Sequence, residues 1–122
     1  MKKLIVSVKT PAQSLSEFKK ALKDARKGRL KEDHYEISFD NKKDFDRFAK
    51  NLSVLSAILT HKPKSIYELS KLMDRDVSNL NKLIAFFESV GAIKIKTSLE
   101  SGRAVKTPIV EYEQVEFDLK AA

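Results

Sequence analysis

The stretch that decides the fold is Ser65-Ile66-Tyr67-Glu68-Leu69-Ser70-Lys71-Leu72-Met73-Asp74-Arg75-Asp76-Val77-Ser78, followed by residues 79–91. Ser65 with Glu68 forms a capping box, in which hydroxyl and carboxylate satisfy backbone donors left open at a helix start. Ile66, Leu69, Leu72 and Met73 then line one face of a helix of about two turns. Met73-Asp74-Arg75-Asp76 reads as a tight turn, and Asp76 caps a second helix. In that helix Val77, Leu80, Leu83, Ile84 and Phe87 fall within an arc of ~120°, and Gly91 ends it. Ala92 to Thr97 alternates as a strand, Glu100-Ser101-Gly102 supplies turn residues, and Val105 onward returns, with Pro108 pointing to a sheet edge.

Upstream, Asp40 or Asn41 caps a helix whose stripe of Phe45, Phe48, Ala49, Leu52, Leu55 and Leu59 runs to about His61, where Lys62-Pro63-Lys64 breaks it. Val54 and Ile58 lie on another side. A helix apolar on two sides is either central to a core or shared with a second subunit. Further back, Leu4, Val6 and Val8 alternate as a strand. Ser14 and Glu17 form another capping box. The helix they open sets Leu15, Phe18, Ala21, Leu22 and Ala25 against a basic face of Lys19, Lys20, Lys23, Arg26 and Lys27. Gly28 stops it, and Tyr35, Ile37 and Phe39 make a second strand. A right-handed crossover would pair the two strands in parallel, but pairing with other strands is equally open. Val115, Phe117 and Leu119 form a terminal strand.

This order is the outline of a winged helix-turn-helix. The expected class is α+β: a winged helix-turn-helix with an N-terminal β-α-β extension, a C-terminal β-hairpin wing and a terminal strand. Residues 1–40 are expected as the extension, packed on the core or dimerising it, and residues 41–119 as the winged domain. The helix from Val77 to Val90 would then lie in the DNA major groove and the wing, from Ile93 to Ile109, on the backbone. Its outward arc is Ser78, Asn81, Lys82, Ala85 and Ser89, with Asn79 on the flank. Asn bonds adenine bidentately, Ser and Lys reach bases or phosphates, and base contacts come mainly from the N-terminal turns. Ser78, Asn79, Asn81 and Lys82 are therefore the candidate base contacts. Arg75, Lys94, Lys96, Arg103 and Lys106 are the candidate backbone contacts, although lysines on a hairpin also protect an edge strand from pairing. Lys19, Lys20, Lys23, Arg26 and Lys27 are either an accessory polyanion surface or a solvated face.

The chain of 122 residues carries a net charge of +7, which favours polyanionic partners. Residues 1–31 hold +8 and residues 92–106 hold +3, whereas the helix pair, 65–91, holds −1. The reading helices are thus not themselves basic, which leaves room for a winged helix that binds protein. No cysteine is present, so thiolate metal sites, disulfides and cysteine nucleophiles are excluded. His34 and His61 lack ligand spacing, and no phosphate loop or nucleophile motif occurs. We expect no enzyme, no metal and no cofactor. No apolar run reaches the ~18 residues of a membrane span, and the expected location is the cytoplasm.

The Ser65 to Leu72 segment, Arg75-Asp76, Leu83 and the Val90-Gly91-Ala92-Ile93 entry to the wing resemble the winged helix-turn-helix regulators of the MarR-like and ArsR-like type. A closer resemblance is to small prokaryotic DNA-binding proteins that place strand-helix-strand before the winged helix and end on an acidic strand. The similarity covers most of the chain and is motif-specific from about Phe45 to Ile95. It implies a transcription regulator or an antitoxin-like autoregulator, often homodimeric. Relatives often have Gly where this chain has Asp74, and basic residues where it has Asn79 and Asn81. Three readings follow: a homodimeric regulator on double-stranded DNA, a module docking a toxin or complex subunit through its winged helix and the apolar Val54 and Ile58 surface, and RNA binding through Lys19 to Lys27.

Overall fold

The computed structural model describes residues 2–8 and 34–119. The expected helix with Lys19, Lys20, Lys23, Arg26 and Lys27 lies outside the described residues. In chain order the elements are β1 (Lys3–Val8), β2 (His34–Phe39), α1 (Lys42–Lys50), α2 (Leu52–His61), α3 (Ile66–Met73), α4 (Val77–Ser89), β3 (Lys94–Glu100), β4 (Arg103–Ile109) and β5 (Gln114–Asp118). The fold is α+β, with two sheets among the described residues. None of these helices is long and apolar enough to cross a membrane.

Two compact units emerge, one of Met1–Ala49 with Tyr112–Ala122, the other Lys50–Glu111. In the first, the strand order is β2-β1-β5 and both pairings are parallel. The open question of how β1 and β2 pair is thereby answered. Register stacks Leu4 beside Tyr35 and Val115, and Val6 beside Ile37 and Phe117, so one sheet face is apolar across all three strands. Leu4 and Val6 are fully buried. Phe48 of α1, also fully buried, lies 6.0 Å from Phe39 and 6.2 Å from Phe117 between ring centroids, and Phe45 meets Phe117 edge-on at 5.6 Å. The opposite face is polar except for Ile5, with Lys3 3.8 Å from Glu116.

This arrangement corrects the expected boundaries. The terminal strand, assigned by sequence to the 41–119 domain, belongs with β1, because Val115 and Phe117 extend the apolar face of Leu4 and Val6. That strand also stops at Asp118, and Leu119 is 81% exposed. The expected helix from Asn41 to His61 is two helices, since Asn51 takes φ −115°, ψ 23°, outside helical geometry. Its side chain favours local backbone bonding over helix continuation. The halves of the expected helix serve different units: Phe45 and Phe48 serve the first, whereas Leu55 from the same stripe and Val54 and Ile58 from the other side are all buried in the second.

In the second unit α2 packs on α3 and β4, and α3 on α4. Val54, Leu69, Leu80, Ile84, Phe87 and Ile93 form its center, each no more than 2% exposed. Burying each such side chain contributes roughly 1.5–3 kcal/mol. Leu72, expected on the apolar face of α3, is 51% exposed instead. Helix ends follow the sequence signals. The Ser65 hydroxyl accepts from Glu68 N–H at 3.0 Å, and Asp76 accepts from Asn79 N–H at 2.9 Å. Asp74 stands left-handed at φ 52°, its N–H donating to the Lys71 carbonyl while Arg75 N–H donates to Ser70. β3 and β4 pair antiparallel around Ser101 and Gly102, whose φ of 51° and 77° give the two left-handed residues a tight hairpin turn requires.

Candidate nucleic-acid interface

α4 buries Leu80, Leu83, Ile84 and Phe87, and this amphipathic spacing leaves Ser78, Asn79, Asn81, Lys82 and Ala85 exposed. All the candidate base contacts are therefore at the surface. Asp76 fixes the first turn, so Ser78 and Asn79 sit on a capped, defined backbone. The negative cap also lies where an incoming phosphate would approach.

α4 and the hairpin diverge from the Val90 to Ile93 connection, which is pinned by Ala92 N–H donating to the Phe87 carbonyl at 2.9 Å. Between them opens a cleft of about 250 Å³. Asn81, Ala85 and Glu88 line it from α4, Ile95, Thr97 and Lys106 from the hairpin, with Ile66 and Ile84 beneath. An amide, a hydroxyl and an ammonium thus converge on one concave surface. Such a set can donate to phosphate or base acceptors and accept from base amino groups. Glu88, also in the lining, opposes an anion beside it.

Hairpin register separates the wing cations. Cross-strand partners share a face, so Lys96 lies with Thr107 and Glu100 with Arg103 on one side, while Thr97 lies with Lys106 and Leu99 with Ala104 on the other. Only Lys106 among the four faces the cleft with α4. Lys94, Lys96 and Arg103 are exposed on the opposite face. The sequence grouped the four together. Counting residues outward from the turn at Ser101-Gly102 is the signal that parts them.

Two of the expected backbone contacts have protein partners. Lys94 bonds Glu111 at 2.8 Å, which fastens the hairpin start to the chain leaving this unit. Its side chain is still 70% exposed, so solvent screens the pair and its contribution to stability is small. Arg75 reaches the Asn51 side-chain oxygen at 3.5 Å, a long bond that ties the α3–α4 turn to the start of α2. Thr107 donates to the Lys64 carbonyl at 2.6 Å and anchors the hairpin root. Sequence reasoning did not single out Thr97, Asn51 or Thr107, since each acts through a partner distant in the chain.

Val54 is 0% and Ile58 2% exposed, so the apolar surface expected to dock a protein partner is core. Both side chains point into the second unit because α2 starts afresh at Leu52. The same burial removes the two-sided helix as an argument for dimerisation. Among the described residues no group of three His, Asp or Glu side chains is placed to hold a metal ion.

Comparison with known proteins returned no match among curated proteins and none among solved structures. A family model described as HVO_A0114 matches residues 49–117, a span that takes in the whole of α2 to β4. Because that match covers more than half of the chain, the protein belongs to the HVO_A0114 family.

Proposed function

We propose that the second unit is a winged helix-turn-helix of the MarR-like or ArsR-like kind and that the protein is a homodimeric, sequence-specific regulator of transcription acting on double-stranded DNA. α3 and α4 are the helix pair, α4 reads the major groove, and β3–β4 is the wing. The observation that carries this reading is the cleft in which Asn81 of α4 stands with Thr97 and Lys106 of the hairpin. A base-reading amide and a phosphate-binding cation then meet one duplex from two elements, as positioning and specifying contacts do. Net +3 over residues 92–106 supplies charge that the helix pair, at −1, lacks. The protein-docking reading keeps the winged helix but loses the part of its surface assigned to Val54 and Ile58, which are buried. The RNA reading rests on Lys19 to Lys27, outside the described residues.

The test is enrichment of duplexes from a random-sequence pool, then fluorescence anisotropy on an enriched duplex over a range of salt. Lys106→Ala removes one phosphate contact from each protomer and should lower the slope of log K against log salt by about 1.8 for the homodimer. Asn81→Ala should relax preference at one base pair in each half-site, at about 1–3 kcal/mol apiece. Failure of the wild-type chain to enrich any duplex at low salt, or wild-type behaviour of both variants, overturns the reading.

A further inference from the structure

Leu99 stands 76% exposed near the hairpin tip, a position of no consequence by itself, since isolated exposed leucines are ordinary. Its face makes the difference. In the β3–β4 register Leu99 pairs with Ala104, one step beyond the Thr97–Lys106 pair, and all four share the side of the hairpin that lines the cleft with α4. No carboxylate occurs on that side of the hairpin: Glu100 pairs with Arg103 on the other.

Both elements line the cleft along part of their length. Both leave the Val90 to Ile93 connection, so α4 is climbed from Glu88 through Ala85 to Asn81 while the hairpin is climbed from Ile95 to Thr97. One further strand step, about 6.8 Å, reaches Leu99. One further helix turn, about 5 Å, reaches Ser78 and Val77. Leu99 is thus the next same-face position of the hairpin beyond the cleft lining, in line for a polyanion seated between Asn81 and Lys106 that continues toward the hairpin tip.

We infer that Leu99 is an apolar contact to the nucleic acid held in this cleft, packing on sugars and base edges beside the phosphate bound by Lys106. This inference rests on the duplex reading of the site. Apolar side chains placed beside cations are a general way to grip a groove, because they add affinity that salt does not screen. Leu99 and Lys106 thus divide the work of one face. The cation contributes the salt-dependent part, and the leucine the part that persists at high salt.

The experiment uses the full chain and the duplex enriched from the random pool. Leu99→Ala should weaken binding of the homodimer about a hundredfold, about tenfold for each protomer's loss of roughly half a leucine side chain's burial. The slope of log K against log salt should stay at the wild-type value, and the melting temperature should not move, given the side chain's exposure. Leu99→Met should restore affinity to within about twofold, because methionine keeps the apolar bulk. Wild-type affinity of Leu99→Ala, or a changed salt slope, overturns the inference while leaving the duplex reading intact. If the wild-type chain enriches no duplex, the duplex reading itself falls, and the inference falls with it.

Discussion

Asp74 offers a direct measure of how the helix pair is joined. It ends α3 with φ 52° and ψ 50°, and its N–H and that of Arg75 close the last turn onto Lys71 and Ser70. A side chain bearing Cβ costs about 1–2 kcal/mol in this left-handed conformation, and less for Asp, which bonds locally. Glycine removes that strain. It also removes a carboxylate lying against the negative end of the α3 dipole, worth a further 0.3–1 kcal/mol or so at an exposed site. Against both stands the greater freedom of glycine in the unfolded chain, about 0.4–1 kcal/mol. The balance is a gain of roughly 0.5–1 kcal/mol for Asp74→Gly. Asp74→Ala keeps the strain without the local bonding and should fall at least ~1 kcal/mol below the glycine variant. Asp74→Asn isolates the charge, since asparagine tolerates the same backbone. Urea unfolding followed by far-ultraviolet circular dichroism reads these differences as midpoint shifts of about 0.3–0.7 M at unchanged slope. An alanine variant as stable as the glycine variant would refute the left-handed turn and with it the stated geometry between α3 and α4.

Two further substitutions probe other parts of the molecule. Gly102→Ala meets no atom within 4 Å, yet φ of 77° strains any Cβ. It should destabilise the hairpin by about 1 kcal/mol, visible as faster amide exchange along β3 and β4, and unaltered exchange there would contradict the turn. Phe48→Ala removes a fully buried ring in contact with Phe39 and Phe117. It should cost about 3–5 kcal/mol and speed exchange in β5 as well as β1, an outcome absent if β5 belonged to the other unit.

Helix ends and turns were legible at once. Ser65, Asp76 and the Ser101-Gly102 turn act within four residues of themselves, and the structure places each as its sequence signal implies. The apolar faces of β1 and α4 were legible too, because a period of two or of 3.6 marks one buried side whatever lies against it. Less of the candidate site could be read. Exposure of Ser78, Asn79, Asn81 and Lys82 follows from the helix period, but the division of the wing cations does not follow from their being basic. Lys106 faces α4 and Lys96 does not because they differ in parity about the turn.

The sequence by itself determined where most described elements start, the second helix being the exception, which side of most of them is apolar, and where positive charge gathers. Those properties are local, set by backbone donors, rotamers and residue spacing. Only the tertiary structure decided that β5 completes a parallel sheet with β1, more than a hundred residues earlier, and that one apparent helix is two at Asn51. It also decided that Val54 and Ile58 are core and that Asn81, Thr97 and Lys106 meet in one cleft. Periodicity states that a face must be covered and leaves open by what. The partner is chosen by complementarity between surfaces far apart in the chain, and that choice exists only once the chain has folded.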